Sequence, residues 1–246
     1  MANEFAPCTE AQKQAVLERL AVIRQRIAES CAAAGRDPES VTLMAVTKTV
    51  SPELINLAVD QGVNVLGENR VQEFLSKREE YRSSAEVQFI GHLQTNKVRQ
   101  IIDKVSMIQS VDSLHLAEAI DKAAAQHGIV MPILLEVNLC GEESKSGVSE
   151  SELPQLLADV GKLPNLRVDG LMTIPPPAAE EIQQIQTFTA MQQLYQQMQQ
   201  IAPLKILSMG MSGDYAAAIR CGATLVRIGS ALFGARYYPP PASALM

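Results

Sequence analysis

The first apolar positions of the chain recur at the spacing of an α-helix. Thr9 and Gln12 stand three residues apart, as the two members of a capping box do at the start of a helix, and Gly35 suits the position just past its end. Between them, apolar residues follow one another at intervals of three or four, which places them on one helical face. These residues are Val16, Leu20, Ile23, Ile27 and Cys31. The pattern predicts an amphipathic helix that precedes the rest of the fold.

Beyond this helix, short apolar runs alternate with segments compatible with helices. The predicted strands lie at 41–46, 63–66, 87–90, 107–111, 133–137, 166–169, 205–208 and 224–228. Strands that alternate with helices indicate parallel pairing, because a parallel connection needs a crossover that is usually a helix. Eight such units in 246 residues predict an α/β fold of the TIM (β/α)8 barrel type, which typically takes about 250 residues.

An open, doubly wound sheet is the alternative fold. The barrel is favoured because the units number eight and because no G-x-G-x-x-G follows the first predicted strand, where a dinucleotide-binding domain would carry it. No linker divides the sequence, so we expect a single domain over 1–246, with a core of about 12–236 and a short flexible C-terminal tail.

Composition and charge narrow the class of protein. With 47% hydrophobic residues the chain can bury a core, and a formal net charge of -6 does not supply the basic surface of a nucleic-acid binder. No apolar run approaches the roughly 18 residues of a membrane span, and the first residues lack the pattern of a signal peptide. We therefore expect a soluble, cytoplasmic protein that binds neither nucleic acid nor membrane.

The cysteines and histidines do not have the spacing of a metal site. The 4 cysteines lie far apart without a C-x-x-C pair, which is typical of reduced, packed thiols. No two histidines stand at the spacing of metal ligands, so we predict no metal.

Candidate chemistry lies where the predicted strands end, because barrels of this kind place their active sites at the C-terminal ends of the strands. Lys48 follows the first predicted strand by two positions. A lysine that is partly desolvated there keeps more of its amine neutral, and the neutral amine forms a Schiff base with a carbonyl. A solvated lysine at a strand end is the alternative reading of Lys48.

The last two predicted strands are followed by loops suited to an anion. Ser208 and Ser212 lie in a glycine-containing stretch at the end of the seventh strand, and Gly229 and Ser230 follow the eighth. Glycines let backbone N–H groups approach an anion, serine hydroxyls add donors, and the start of a helix favours negative charge. Barrels frequently bind phosphate with these two loops. Two tight turns that use glycine for geometry alone are the alternative.

A Schiff-base lysine and a phosphate site on one rim suggest a phosphorylated aldehyde, of which pyridoxal 5′-phosphate (PLP) is the commonest cofactor. Arg227, just before Gly229 and Ser230, could place its guanidinium on the pyridine nitrogen and keep it unprotonated, since arginine retains its own proton. An unprotonated ring is a weaker electron sink than a pyridinium. A surface ion pair is the alternative role for Arg227.

An ordered set of motifs resembles the pyridoxal phosphate homeostasis protein family. Each motif alone is weak, but together they occur in the family's order over nearly the whole chain. The motifs are AVTKT at 45–49, GENRVQE at 67–73, FIGHLQTNK at 89–97, SKSG at 144–147, GLMTIP at 170–175, LSMGMS at 207–212 and VRIGS at 226–230.

The resemblance implies a fold-type III PLP barrel, similar to the N-terminal domain of alanine racemase but without a second β-domain. It implies that Lys48 holds the cofactor as an internal aldimine, that Asn69 lies beside the cofactor and that Arg227 meets the ring nitrogen. The residues that it implies for the phosphate are Ser208, Ser212, Gly229 and Ser230. It further implies a role in PLP (vitamin B6) and amino-acid homeostasis, without established catalysis.

Three functions remain open on the sequence. The first is a non-catalytic, monomeric PLP carrier, with PLP-dependent apo-enzymes as candidate recipients of the cofactor. The second is a PLP-dependent enzyme, above all an amino-acid racemase of the alanine racemase type, which needs a base on each face of the substrate Cα. The third is a Schiff-base aldolase that acts on a sugar phosphate without any cofactor.

Overall fold

The strands of the protein close into a barrel. The structure is a computed structural model that describes residues 7–139, 146–176 and 180–234. The strands are Thr42–Val46 (β1), Val65–Glu68 (β2), Glu86–Phe89 (β3), Met107–Val111 (β4), Met131–Glu136 (β5), Leu166–Met172 (β6), Ile206–Met211 (β7) and Leu225–Ile228 (β8). They follow chain order around the barrel, and each pairs in parallel with the next, β8 with β1 included. The predicted (β/α)8 barrel is confirmed, and the open sheet is wrong because β1 and β8 pair.

Helices surround the strands. They are Glu10–Ala33 (α1), Pro52–Asp60 (α2), Val71–Lys77 (α3), Val98–Ile101 (α4), Leu114–His127 (α5), Leu153–Val160 (α6), Glu181–Gln199 (α7), Tyr215–Arg220 (α8) and Ser230–Phe233 (α9). The predicted C-terminal tail lies outside the described residues.

Helix α1 forms as its cap residues predict. The Thr9 hydroxyl accepts the N–H of Gln12, and the Gln12 side chain accepts the N–H of Thr9, which completes the capping box. The chain then turns at Gly35, whose φ of +64° is a left-handed conformation that suits glycine. The apolar face packs against α2, α8 and α9. Helix α1 therefore covers the outside of the barrel next to β8 and β1.

Side chains fill the barrel interior. Successive residues of a strand face opposite sides, so Ala45 joins the main core under the helices while Met44 joins a separate cluster inside. The apolar interior residues are Met44, Ile90 and Leu225 in one cluster and Met107, Leu134 and Met172 in another. Buried polar side chains accompany them in a hydrogen-bonded row of Gln88, Gln109, Ser208 and Arg227. The barrel interior is therefore packed with side chains. Arg227 lies at one end of its hydrogen-bonded row of polar residues.

A glycine after β3 lets two neighbouring loops meet. A Cβ built on Gly91 would lie 2.2 Å from the carbonyl oxygen of Asn69, which is too close for any side chain. The Gly91 carbonyl in turn accepts the Ser110 hydroxyl at 2.6 Å. The backbone of Asn69 is thus supported from β3 and β4.

The described residues include neither a membrane-crossing helix nor a metal cluster. None of the described helices has the length and hydrophobicity to cross a bilayer. No group of three or more His, Cys, Asp or Glu within the same ranges is arranged to hold a metal ion. Cys8, Cys31 and Cys221 carry free thiols, and Cys140 lies outside the described residues.

Candidate functional site

Strands β8, β1 and β2 end side by side and bring predicted site residues together. Val46 lies opposite Gly67, and the N–H of Thr47 donates to the carbonyl of Gly67 at 3.1 Å, so the segments with Lys48 and Asn69 follow paired strands. On the other side β1 pairs with β8, where a Cβ built on Gly229 would lie 3.4 Å from Val46. Since β1 lies between β2 and β8 in the barrel, Lys48 follows the middle one of three neighbouring strands, and Asn69 and Gly229 follow the other two.

Asn69 presents an unusual acceptor at this rim. Its side-chain oxygen Oδ1 is buried and has no hydrogen-bond partner, although the residue as a whole is only partly buried. A buried acceptor without a donor costs about 1–3 kcal/mol, and most such atoms in proteins are satisfied. Oδ1 is therefore a buried acceptor for which the described residues supply no donor.

The Ser212 hydroxyl joins the loops that follow β7 and β8. Its Oγ accepts the N–H groups of Gly229 and Ala231, both at 3.2 Å. Ser230 lies between these two residues and is exposed. Two N–H groups that converge on one oxygen mark a position that also suits an oxygen of an anion.

Ser208 lies apart from these loops, inside β7. It is fully buried, and its hydroxyl donates to Oε1 of Gln109 at 2.7 Å and accepts Nη1 of Arg227 at 2.5 Å. In this arrangement the hydroxyl orients Arg227. The phosphate contact predicted for Ser208 stays a prediction.

Arg227 points into the barrel and not toward solvent. It is 2% exposed, so the surface ion pair that the sequence left open is wrong. Besides Ser208, its Nη2 donates to the carbonyl of Thr173 at 2.7 Å. Burial lowers the pKa of Arg227 to about 10, whereas the carboxylates of Glu136 and Asp214 act in the opposite direction. The guanidinium therefore stays protonated at neutral pH and acts as a donor only.

Glu136 faces this guanidinium from the end of β5. It is 6% exposed. Burial raises the pKa of Glu136 to about 7; the carboxylate of Asp112 adds to the rise and Arg227 opposes it. Glu136 is therefore a carboxyl group whose charge changes near neutral pH, inside the barrel.

Glu136→Gln is expected to stabilise the protein at pH 8 and to matter much less at pH 5. The wild-type carboxyl has a pKa of about 7 when folded, above its unfolded value, so it contributes stability at low pH that is lost as the pH rises toward 7. The amide of the variant has no proton to lose. The free energy of unfolding of Glu136→Gln, relative to the wild type, should therefore rise by about 2 kcal/mol from pH 5 to pH 8. Urea unfolding of both proteins measures this.

The control for this change is Glu118→Gln, on an exposed position of α5. It is expected to alter the free energy of unfolding by less than about 0.5 kcal/mol at either pH. An equal effect of Glu136→Gln at pH 5 and pH 8 would contradict the assignment of a near-neutral pKa to Glu136.

A buried charged cluster behind Lys48 was not found from the sequence. Glu68 and Lys77 are 0% and 1% exposed, and Nζ of Lys77 lies 3.3 Å from Oε1 of Glu68. The same oxygen accepts the hydroxyls of Thr47 at 2.7 Å and Tyr81 at 2.6 Å. Burial first, and then Glu68, raise the pKa of Tyr81, which therefore stays a donor. The only signal was the position of Glu68 directly before Asn69 in the GENRVQE motif.

Comparison with known proteins first gives the class. The family model of the alanine racemase N-terminal domain matches residues 19–237. Alanine racemase of Clostridium difficile 630 is 18% identical with a TM-score of 0.70 over 93% of this chain and 58% of that chain, a likeness that shows the fold alone. PipY of Synechococcus elongatus, solved with PLP bound, is 33% identical with a TM-score of 0.79 over 89% of this chain and 100% of that chain. The protein is a fold-type III barrel.

Curated relatives then give the family. The pyridoxal phosphate homeostasis protein of Aquifex aeolicus is 44% identical over 224 residues, which are 90% of this chain and 98% of that protein. Its counterpart in Pseudomonas aeruginosa is 42% identical over 229 residues, 93% of this chain and 99% of that protein. The chain belongs to the pyridoxal phosphate homeostasis protein family, and the resemblance of its motifs is confirmed.

Proposed function

We propose that the protein binds PLP through a Schiff base on Lys48 and holds it for PLP and amino-acid homeostasis, without catalysing a reaction of its own. Family membership supports this, and so does the PLP bound to PipY, a solved structure with 33% sequence identity. The observation that carries the proposal is the order of the strands, because Lys48 follows β1, and the neighbouring strands β2 and β8 are followed by Asn69 and Gly229. A phosphorylated aldehyde needs an amine and a set of converging N–H donors on one rim.

The residues at the rim fit this cofactor. The phosphate is assigned to Ser212, Gly229 and Ser230, where two N–H groups already converge on one oxygen. Oδ1 of Asn69 is an acceptor without a donor and faces the same space as Lys48 in our assignment. When bound, PLP supplies an aldehyde that condenses with the lysine amine, with loss of water, and a ring that accepts electrons.

Arg227 and Ser208 are the residues of the proposed site that lie inside the barrel. The guanidinium has five N–H donors, and its contacts with Ser208 and Thr173 use two of them. We assign its approach to the ring nitrogen, which it would leave unprotonated. Ser208 is kept in the cofactor site through Arg227, because its hydroxyl holds the guanidinium in place.

Binding is favoured over racemisation, which needs a second base at the mouth of the barrel. Of the tyrosines, the hydroxyl of Tyr81 donates to Glu68, and Tyr195 and Tyr215 are buried on α7 and α8. Tyr237 and Tyr238 lie outside the described residues. The relatives bear the name of homeostasis proteins, and none of these observations favours a cofactor-free aldolase.

The finer features of this function are also proposed. The free thiols of Cys8, Cys31 and Cys221 suit the reducing cytoplasm. A single-domain monomer over 1–246 stays a prediction of the sequence. We also propose that the protein transfers PLP to apo-enzymes, since the assigned site lies at the rim where the strands end.

The absorption spectrum with PLP tests the proposed function. A Schiff base gives a visible band that borohydride abolishes, and peptide mapping is then expected to find the pyridoxyl group on Lys48. The absence of a band, or an adduct on another lysine, would contradict the proposal. Inversion of an amino acid far faster than by free PLP would support the racemase instead, and a sugar adduct on a colourless protein would support the aldolase.

A further inference from the structure

The turn that carries Lys48 has an unfavourable backbone conformation. The N–H of Val50 donates to the carbonyl of Thr47 at 3.1 Å and closes the turn. Thr49, its third residue, has a φ of +61°, the one positive φ of a non-glycine residue in the described part of the chain. A turn with a positive φ at this position usually has glycine there, and a β-branched residue costs about 1–3 kcal/mol. Other contacts must hold Thr49 in this conformation.

Two side chains of α3 bind the backbone on both sides of Lys48. Oε1 of Glu73 accepts the N–H of Thr49 at 2.5 Å. Nζ of Lys77 donates to the carbonyl of Thr47 at 3.0 Å. Glu73 and Lys77 stand four residues apart on one face of the helix and form an ion pair at 2.8 Å. The peptide groups that flank Lys48 are therefore bound to the two halves of one ion pair.

The Glu73–Lys77 ion pair is held in place by a second, buried carboxylate, that of Glu68. Lys77 is buried and also contacts Oε1 of Glu68, which the hydroxyl of Thr47 joins. Hydrogen bonds to charged groups are stronger than neutral ones, and buried networks of them are rigid. Glu73 is partly buried at the edge of this network. Its removal therefore frees the turn while the deeper Glu68–Lys77 pair remains.

We propose that Glu73 and Lys77 are positioning residues for Lys48. They hold the turn over 47–50 in its strained conformation and so direct the amine of Lys48 toward the space between Asn69 and the Gly229 loop. The consequence for PLP affinity rests on the proposed function. Neither residue is assigned a contact with PLP.

The test compares Glu73→Ala and Glu73→Gln in the wild-type background and in Thr49→Gly. Without the carboxylate, Thr49 loses the acceptor for its N–H, and the Kd for PLP is expected to rise about tenfold or more. Glutamine still offers an oxygen to that N–H, so the Kd of Glu73→Gln should lie between those of the wild type and Glu73→Ala. Glycine adopts a positive φ without strain, so the cost of Glu73→Ala in Thr49→Gly should fall to about threefold or less.

Hydrogen exchange gives a readout that does not need PLP. In the protein without cofactor, the amide of Thr49 is expected to exchange at least about tenfold faster in Glu73→Ala, since its hydrogen bond is lost. The matched control is Glu79→Ala, whose 80% exposed side chain forms an ion pair with Arg78 at 3.0 Å. It should leave both the Kd and the exchange rate unchanged.

The outcomes separate this inference from the proposed function. If the wild type forms no Schiff base, the proposed function fails, and the exchange rate still decides whether Glu73 holds the turn. If the wild type binds PLP and Glu73→Ala has the wild-type Kd and exchange rate, the positioning role is wrong. An equal loss of affinity in both Thr49 backgrounds would likewise overturn it, because the effect would then not pass through the strained turn.

Discussion

Lys48→Ala is expected to lose the visible band completely and to resist borohydride trapping of PLP. Lys48 follows β1, whose neighbours β2 and β8 are followed by Asn69 and Gly229, and in our proposal its amine takes the aldehyde. Non-covalent contacts to the phosphate would remain, so we expect the variant to bind PLP weakly and without a visible band. Absorbance titration and intact mass after reduction measure the two effects.

The control for Lys48 lies on the same rim. Lys97 follows β3, and its amine donates to the exposed side chain of Gln72. Lys97→Ala is expected to keep the band and the adduct, which separates a specific site from the general reactivity of surface lysines with aldehydes. A Lys48→Ala protein that still gives the band and a reduced adduct would show that the assigned lysine is wrong.

Arg227→Met is expected to lower the free energy of unfolding by about 3–5 kcal/mol at pH 8. The change leaves the Ser208 hydroxyl and the Thr173 carbonyl without their donors, and it leaves Glu136 and Asp214 without the cation that faces them. Methionine fills a similar volume but satisfies none of these groups. Urea unfolding followed by circular dichroism measures the loss.

The loss of stability in Arg227→Met should be smaller at pH 5 than at pH 8. Arg227 opposes the rise in the pKa of Glu136, so without it that pKa moves further above about 7, and the carboxyl is neutral at low pH. Glu136→Gln combined with Arg227→Met should therefore recover part of the loss at pH 8. The control Arg82→Met breaks an exposed ion pair with Asp60 and should cost less than about 1 kcal/mol. Equal losses at both pH values would contradict the coupling.

The barrel was predictable because each strand is a short segment rich in apolar residues that helix-compatible segments separate from the next. Strand β4 lies at Met107–Val111, as the sequence predicts. Strand β6 is longer than the predicted 166–169, because it continues through Gly170 to Met172. A Cβ on Gly170 would lie 1.8 Å from the carbonyl oxygen of Ile206, so this glycine serves the close approach of β7 within the strand.

The site was predictable only where position along a strand decides it. Lys48 follows β1 and Gly229 follows β8, and these two strands pair in the barrel. Ser208 looked equivalent to Ser212, but it lies within β7 with its side chain in the interior, and the face of a residue depends on strand bounds known only from the fold. The burial of Lys77 depends on contacts between α3 and the end of β1, which no local pattern encodes.

If the phosphate binds at the N–H groups that we propose, the Ser212 hydroxyl makes its binding an exchange of hydrogen-bond partners. An anion oxygen that takes the N–H groups of Gly229 and Ala231 displaces a hydroxyl oxygen that already accepts both. The net gain is then the difference between two sets of hydrogen bonds, and the hydroxyl can reclaim the donors as the anion leaves. No desolvated N–H is stranded in either direction. In our proposal the donors are satisfied both with and without the anion, which suits the proposed transfer of PLP to apo-enzymes.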